Sequence, residues 1–335
     1  MGEVNKKPFK VISTFSGCGG SSLGYQLAGG KVLLAVELDN NAVQTYKANF
    51  PNTDIFHGDI AKLSVEEIFK RTGIKEGELD IFDGSPPCQG FSTAGKRNLD
   101  DNRNQLFQEY VRILRGLKPK VFVMENVSGM VKGKMKLLFA EILKELKASG
   151  YQVKARLLNA KYYNVPQSRE RMIFIGVKND LDIVPTHPKA KSHGISFSEA
   201  TKDINAENDQ HRVLSDRVKR YSKHHPGGWN TDLDVMMKIS GKTSSCMSLK
   251  WAEENKTIGT IGKQEIADSG IVHPNRNRYL SINELKALSS FPNDFEFFNR
   301  KNAVERIGNS VPPNFMKAIA EHIKDNILTN VDNQL

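Results

Sequence analysis

The chain has 335 residues, 39% of them hydrophobic and 26% charged, with a formal net charge of +10, a balance that excludes disordered and fibrous classes. No stretch reaches the roughly 20 apolar residues of a membrane span, and the opening MGEVNKKPFKVIS lacks the apolar core of a secretion signal, so a cytoplasmic protein is expected. Cys18, Cys88 and Cys246 lie far apart with no CxxC spacing, which argues against disulfides and a zinc site, and no metal is expected. The basic excess suits a phosphate-rich partner but does not establish one.

In chain order, strands are expected at Phe9–Phe15, Val32–Glu37, Leu79–Phe82, Val121–Glu125, Tyr151–Leu158 and Arg171–Val177. Helical apolar spacing at Leu23–Ala28, Ala42–Phe50, Leu106–Leu117 and Met135–Ser149 separates several of them. This alternation implies an α/β domain with a mostly parallel sheet. From Pro185 to about Gly262 the chain turns polar and irregular, too long a stretch for one loop, so a second, smaller domain is expected. A helix over Ser281–Ser289, with Ser281 and Glu284 spaced as a capping box, and a terminal helix over Asn314–Leu328 complete the chain. The expected division is 1–184 with 304–335 against 185–303.

The run Phe15-Ser-Gly17-Cys-Gly19-Gly20 follows the first strand and opens a helix. Its glycines permit a tight turn and a close approach to a ligand. Glu37 ends the second strand 20 residues beyond Gly17, where a carboxylate can accept from ribose hydroxyls, and Asp59-Ile60 after the third strand can meet an adenine. The final glycine of GxGxxG, needed where a pyrophosphate sits, is missing. An adenosine ligand without phosphates therefore fits better than NAD.

Asp83-Gly-Ser-Pro-Pro87-Cys88-Gln89-Gly90-Phe91-Ser92 follows the fourth strand, at the edge where open parallel sheets collect ligands. Two prolines restrict the backbone ahead of the thiol, and the polar run to Arg103 has the composition of a lid. A reactive thiolate needs a neighbouring cation, for which Arg97, Arg169 and Arg171 are candidates. Glu125 ends the buried strand Val121–Glu125, and Gln167-Ser-Arg169-Glu-Arg171 puts two arginines on one face of an extended segment. Cys18 and Cys246 are given no chemical role.

Together FSGCGG, VELD at 36–39, GDI at 58–60, SPPCQGFS, ENV at 125–127, QSRER, RYLSINE at 278–284 and GNSVPP resemble the ordered motifs of the bacterial DNA (cytosine-5)-methyltransferases. The resemblance spans about residues 10–180 and 276–325. It implies a Rossmann-like S-adenosylmethionine-dependent methyltransferase domain with a mixed seven-stranded sheet, plus a small DNA-recognition domain. It also implies that Cys88 attacks cytosine C6, Glu125 holds ring N3 and the amine, Arg171 meets the base carbonyl, and Arg169 braces the loop or a phosphate. The cofactor pocket would comprise Phe15, Gly17, Gly19, Gly20, Glu37, Leu38, Asp59, Ile60, Pro87, Leu106, Asn309 and Ser310. The cofactor would be S-adenosyl-L-methionine, with S-adenosyl-L-homocysteine as product. Leu38 stands where well-known members carry Trp, a departure that bears on affinity.

Contacts to double-stranded DNA are expected from Gln89, Ser92, Arg97, Arg103, Gln167 and Thr257. Further phosphate contacts are sought among Arg212, Arg217, Lys219, Arg220, Lys223, Lys238, Lys242, Lys250, Arg276 and Arg278. A monomer acting in the bacterial nucleoid is expected, with a restriction endonuclease as an optional separate partner. A tRNA methyltransferase of the same architecture would share the catalytic residues, but the Cys-Phe-Thr tripeptide of that branch is absent. A catalytically silent DNA-binding regulator would have lost Cys88, Glu125 or the glycine turn, and all three are present.

Overall fold

The computed structural model describes residues 7–87, 102–131, 135–191, 193–205, 209–213, 250–262 and 271–332. Backbone contacts divide the chain into two compact units: Met1–Leu158, Glu170–Lys189 and Met316–Leu335 form the first, Asn159–Arg169 and Ala190–Phe315 the second. The division read from sequence had its boundary at 184/185 and the return at 304. The contacts put these at 189/190 and 316, and group 159–169 with the second unit, where Gln167 forms a bridge with Ile258.

The first unit is a mixed α/β layer structure. Its strands are β1 (Phe9–Thr14), β2 (Gly30–Glu37), β3 (Asp54–His57), β4 (Ile81–Gly84), β5 (Val121–Val127), β6 (Tyr151–Asn159) and β7 (Glu170–Lys178). They form one seven-stranded sheet in the order β3-β2-β1-β4-β5-β7-β6. Strands β1 to β5 pair in parallel and β7 runs antiparallel to β5. Chain order reverses between β1 and β4, so their carboxyl ends flank the crevice where ligands gather in such sheets. Central strands read as continuous apolar runs because both faces are covered, and β5 is buried from Val121 through Asn126.

Helices α1 (Gly20–Leu27), α2 (Asn40–Asn49), α3 (Val65–Thr72), α4 (Asn102–Leu117) and α5 (Met135–Ala148) connect the strands. The sequence reading did not single out α3; Ser64 caps it by accepting from the Glu67 amide, and Gly73 stops it at φ 71°. Between sheet and α4 runs an aromatic row: Phe82 stacks on Tyr110 at 4.7 Å, Tyr110 meets Phe122 edge-on at 6.5 Å, and Phe122 meets Tyr151 at 5.2 Å. Gly176 on β7 is required beside it, since a Cβ there would lie 1.9 Å from the Phe122 ring.

In the second unit, α6 (Phe197–Thr201), the pair β8 (Lys250–Trp251) and β9 (Ile271–Val272), α7 (Ile282–Leu288) and α8 (Arg300–Asn309) are described. The capping box read from Ser281 and Glu284 is present in full at α7. Helix α9 (Pro313–Ile323) passes through a π turn, Lys324–Leu328, into α10 (Thr329–Asp332). The terminal helix expected as one piece is thus interrupted. GNSVPP does not only precede it: Gly308 and Asn309 close α8.

Candidate active site

At the carboxyl ends of β1 and β2 a cavity of about 350 Å³ is lined by Phe15, Val36, Glu37, Leu38, Asp39, Gly58, Asp59, Ile60 and Leu106. That volume lies in the range of small-ligand pockets. Six of these residues were expected; Val36, Asp39 and Gly58 were not, although Asp39 and Gly58 belong to the VELD and GDI runs already singled out. The glycine turn sits beside them. Gly17 at φ 55° has open space where a Cβ would stand, whereas at Gly19, φ 97°, a Cβ would fall 2.2 Å from the Phe50 ring. Gly17 therefore leaves room for a ligand and Gly19 for packing. Phe15, the residue entering the turn, itself holds φ 55°, a left-handed conformation costing a bulky side chain on the order of 1–2 kcal/mol.

Glu37 organises the pocket. Its Oε2 accepts from the Gly17 amide at 2.7 Å, and its Oε1 accepts from the amides of Leu38 and Asp39 at 2.8 Å each. The carboxylate thus ties the glycine turn of β1 to the end of β2, and Oε2, with one donor, keeps acceptor capacity for a ligand. Leu38 is 66% exposed, an apolar surface available to a flat ring. The Asp59 side chain accepts from the Ala61 amide, and Arg112 on α4 fixes the following turn by donating to the carbonyls of Ile60 and Leu63 at 3.1 and 2.8 Å. The lining holds three carboxylates and no lysine or arginine. Such a field repels phosphates and favours a cationic ligand.

At the end of β5, Glu125 is 9% exposed, and its Oε1 lies 2.7 Å from Nε of Arg171 on β7. The antiparallel register explains the pair: Glu125 is opposite Ile173 and Arg171 opposite Val127, so the two side chains meet diagonally on one face. The next residue, Asn126, donates from Nδ2 to the carbonyl of Pro86 at 3.0 Å, tying β5 to the segment that leads to Cys88. At the end of β4, Gly84 leaves room for its neighbours on β1 and α4, because a Cβ there would lie 2.4 Å from Thr14 Oγ1 and 2.8 Å from Tyr110. Asn126 and Gly84 belong to runs quoted from the sequence but were given no role there. Cys88, Gln89, Ser92, Arg97 and Cys246 lie outside the described residues, as does the side chain of Arg103. Pro87 is described and exposed.

Other expected site residues belong to the second unit. Arg169 is only 2% exposed and donates to the Ile261 carbonyl at 3.4 Å, which favours bracing of the 258–262 segment over a phosphate contact. Gln167, expected to meet DNA, is 1% exposed; it donates to Ser289 Oγ at 3.0 Å and accepts from the Ile261 amide at 3.1 Å. Thr257 donates to the Ile195 carbonyl at 2.8 Å and is half-buried. Arg278, considered for phosphates, is buried in a two-bond pair with Glu284 at 2.7 and 2.8 Å, and so is withdrawn from the phosphate contacts. Arg212 and Arg276 are exposed. Asn309 is exposed at the end of α8 and Ser310 follows it.

Residues 9–325 match the family profile of the C-5 cytosine-specific DNA methylases. The chain is 35% identical to the type II methyltransferase M1.HphI of Haemophilus parahaemolyticus over 93% of its own length and 86% of the relative's. With M.NgoPII of Neisseria gonorrhoeae it shares 33% identity over 95% and 96%. Among solved structures, a prophage-encoded E. coli protein described as a DNA modification methyltransferase superposes with a TM-score of 0.73 at 25% identity, covering 96% of this chain and 99% of that one. Spodoptera frugiperda DNMT2 superposes at 0.67 with 21% identity over 97% and 99%, a likeness of fold.

Proposed function

The chain belongs to the C-5 cytosine-specific DNA methylases, and from that premise we propose that it methylates carbon 5 of a flipped-out cytosine within a specific duplex DNA site. The observation that carries the proposal is the buried Glu125–Arg171 pair at the end of β5, in the same unit as an acid-lined pocket free of cations. S-adenosyl-L-methionine, when bound, supplies a methyl group made electrophilic by its sulfonium and leaves as S-adenosyl-L-homocysteine. Glu37 would hold the ribose, Asp59 the adenine amine, and Leu38, Ile60 and Phe15 the ring faces. Gly17 would give the backbone its close approach, and Leu106 would close the wall. Gly19, Gly20, Pro87, Asn309 and Ser310 are assigned to the same ligand on the family resemblance.

Cytosine C5 is too weakly nucleophilic to attack a methyl group unaided. The Cys88 thiolate forms a bond to C6, and the displaced electron pair moves onto the ring, making C5 an enamine carbon. Glu125 stabilises the charge that develops by bonding at N3 and the exocyclic amine, held in place by Arg171, which also reaches toward the base carbonyl. After C5 gains the methyl group it loses its proton, a water being a suitable acceptor, and the C6–sulfur bond breaks. The reaction requires the base to leave the stack, which costs a few kcal/mol.

The second unit, with the expected recognition segment inside it, is assigned to target recognition. Exposed Arg212 and Arg276 are assigned to phosphates, and Gln89, Ser92, Arg97 and Arg103 to DNA around the flipped base. The enzyme acts as a monomer, in a restriction-modification system of the kind its relatives' names denote or as a solitary methylase. Tritiated-methyl assays on duplex DNA and tRNA in parallel test this reading, with bisulfite sequencing to locate the product. Label on DNA alone, at one cytosine of a fixed sequence, is the expected result. Label on tRNA alone would overturn it.

A further inference from the structure

The first unit buries a second carboxyl for which the proposed reaction has no use. Asp83 lies on β4, is 3% exposed, and sits five residues before Cys88. Its Oδ2 accepts from Ser13 Oγ on β1 at 2.8 Å and its Oδ1 from Tyr25 Oη on α1 at 3.1 Å. Among the described residues no lysine or arginine pairs with it. The sheet register puts it in a row with the site: Ser13 is opposite Asp83 and Asp83 opposite Val123. Glu125, two residues beyond Val123, shares that face, and Arg171 follows on β7. Two buried carboxyls thus share one face of the sheet end, and the Arg171 guanidinium pairs with Glu125.

We infer that Asp83 is a positioning residue for the reaction proposed above, acting through Glu125: when ionised, it opposes loss of the proton shared between Glu125 and cytosine N3. The inference rests on the reading of Glu125 as the group at N3. A negative charge on the same low-dielectric face stabilises a positive one along the row, and no hydrogen bond between the two carboxyls is needed. Burial is the main cause that pushes the Asp83 carboxyl up to about 7, with the Glu125 charge adding to it and the Ser13 and Tyr25 hydroxyls opposing. Asp83 therefore changes charge near neutral pH. The titratable groups around it are Tyr25 on α1, Tyr46 on α2, Tyr110 on α4 and Glu125 on β5. Burial raises all three tyrosines further above neutrality, so Asp83 is the acid of the cluster brought to near neutral pH.

The test is the pH profile of single-turnover methyl transfer, with DNA and S-adenosyl-L-methionine saturating, for the wild type and Asp83→Asn. The amide keeps the shape and can bond to both hydroxyls, but it carries no charge. The two profiles should coincide near pH 6, where Asp83 is neutral in both senses. They should separate above about pH 7, the variant falling about threefold or more behind by pH 8.5, equivalent to a limb moved by half a unit. Tyr25→Phe removes a donor that favours the Asp83 carboxylate, so Asp83 ionises at higher pH; its profile should leave the wild-type one at the same pH, by less, and rejoin it at higher pH, and it serves if Asp83→Asn does not fold. Coincident profiles throughout, or a uniform loss at every pH, would overturn the inference. If the wild type also failed to form a covalent adduct with 5-fluorocytosine DNA, the reading of the reaction would fail first. If the adduct formed and the profiles still coincided, the inference about Asp83 alone would be lost.

Discussion

Glu37 shows how one side chain serves structure and ligand together. Its oxygens already accept from three backbone amides, so Glu37→Ala removes both the ligand contact and the clasp that shapes the glycine turn. Loss of hydrogen bonds to a charged group costs about 1.5–3 kcal/mol each. Calorimetry should therefore show S-adenosyl-L-methionine affinity reduced by at least about tenfold; an unchanged affinity would contradict the assignment. Glu125→Gln, by contrast, leaves that pocket alone. It removes the charge that pairs with Arg171, and transfer should slow by about 100-fold or more, the usual scale for one stabilising group, with cofactor affinity unchanged. Loss of cofactor binding in that variant would argue that the two regions are not separable as described.

At the scale of elements, the strands were legible because buried parallel strands read as unbroken apolar runs, as Val121–Glu125 does. The sites at their ends were legible because glycines, prolines and carboxylates punctuate those runs. Helix α3 escaped notice because it is only eight residues long, although Val65, Ile68 and Phe69 keep helical spacing along it. Helix α8, RKNAVERIGN, hid for the opposite reason: it buries polar Asn302 and Arg306 beside Val304 and Ile307, so its inner face does not look apolar. Gln167 and Arg169 read as surface or DNA-facing groups for the same cause. Nothing in QSRER reveals that the Ile261 amide and carbonyl would meet them inside the second unit. Gly84 is an element-level constraint that spacing alone could not disclose. Gly84→Ala drives a methyl group against Thr14 and Tyr110, overpacking that costs about 1–3 kcal/mol, measurable as a lower denaturant midpoint. A midpoint equal to wild type would mean that β4 and α4 adjust freely.

For the whole molecule, stability should fall in acid through the second unit. His273 is kept largely from water, with Phe197 edge-on at 5.2 Å and Glu284 at 3.5 Å. Burial first, and then Arg278 and Arg276, lower it to about 4, against the opposing pull of Glu284. A folded-state value below the unfolded one near 6.5 means that the unfolded chain binds the proton first. Stability is therefore lost as pH falls from about 6.5 toward 4. Glu284 is lowered despite its burial, by Arg278 and the Ser281 amide; its contribution is present above the unfolded carboxylate range and fades below it. Denaturant melts across this window should show a slope that His273→Gln flattens between pH 6.5 and 4, and an unaltered slope would contradict the account.

In the proposed reaction the thiol of Cys88 becomes covalently joined to a cytosine while Glu125 holds the ring. This step is tested most directly by incubating the enzyme and S-adenosyl-L-methionine with duplex DNA carrying 5-fluorocytosine at the methylated position, then mapping the linkage by peptide mass spectrometry. The fluorine cannot leave as a cation, so the sulfur–C6 bond should persist and the modified peptide should contain Cys88, with none formed by Cys88→Ala. Methylation of ordinary DNA at that site with no adduct, or an adduct on another residue, would contradict it.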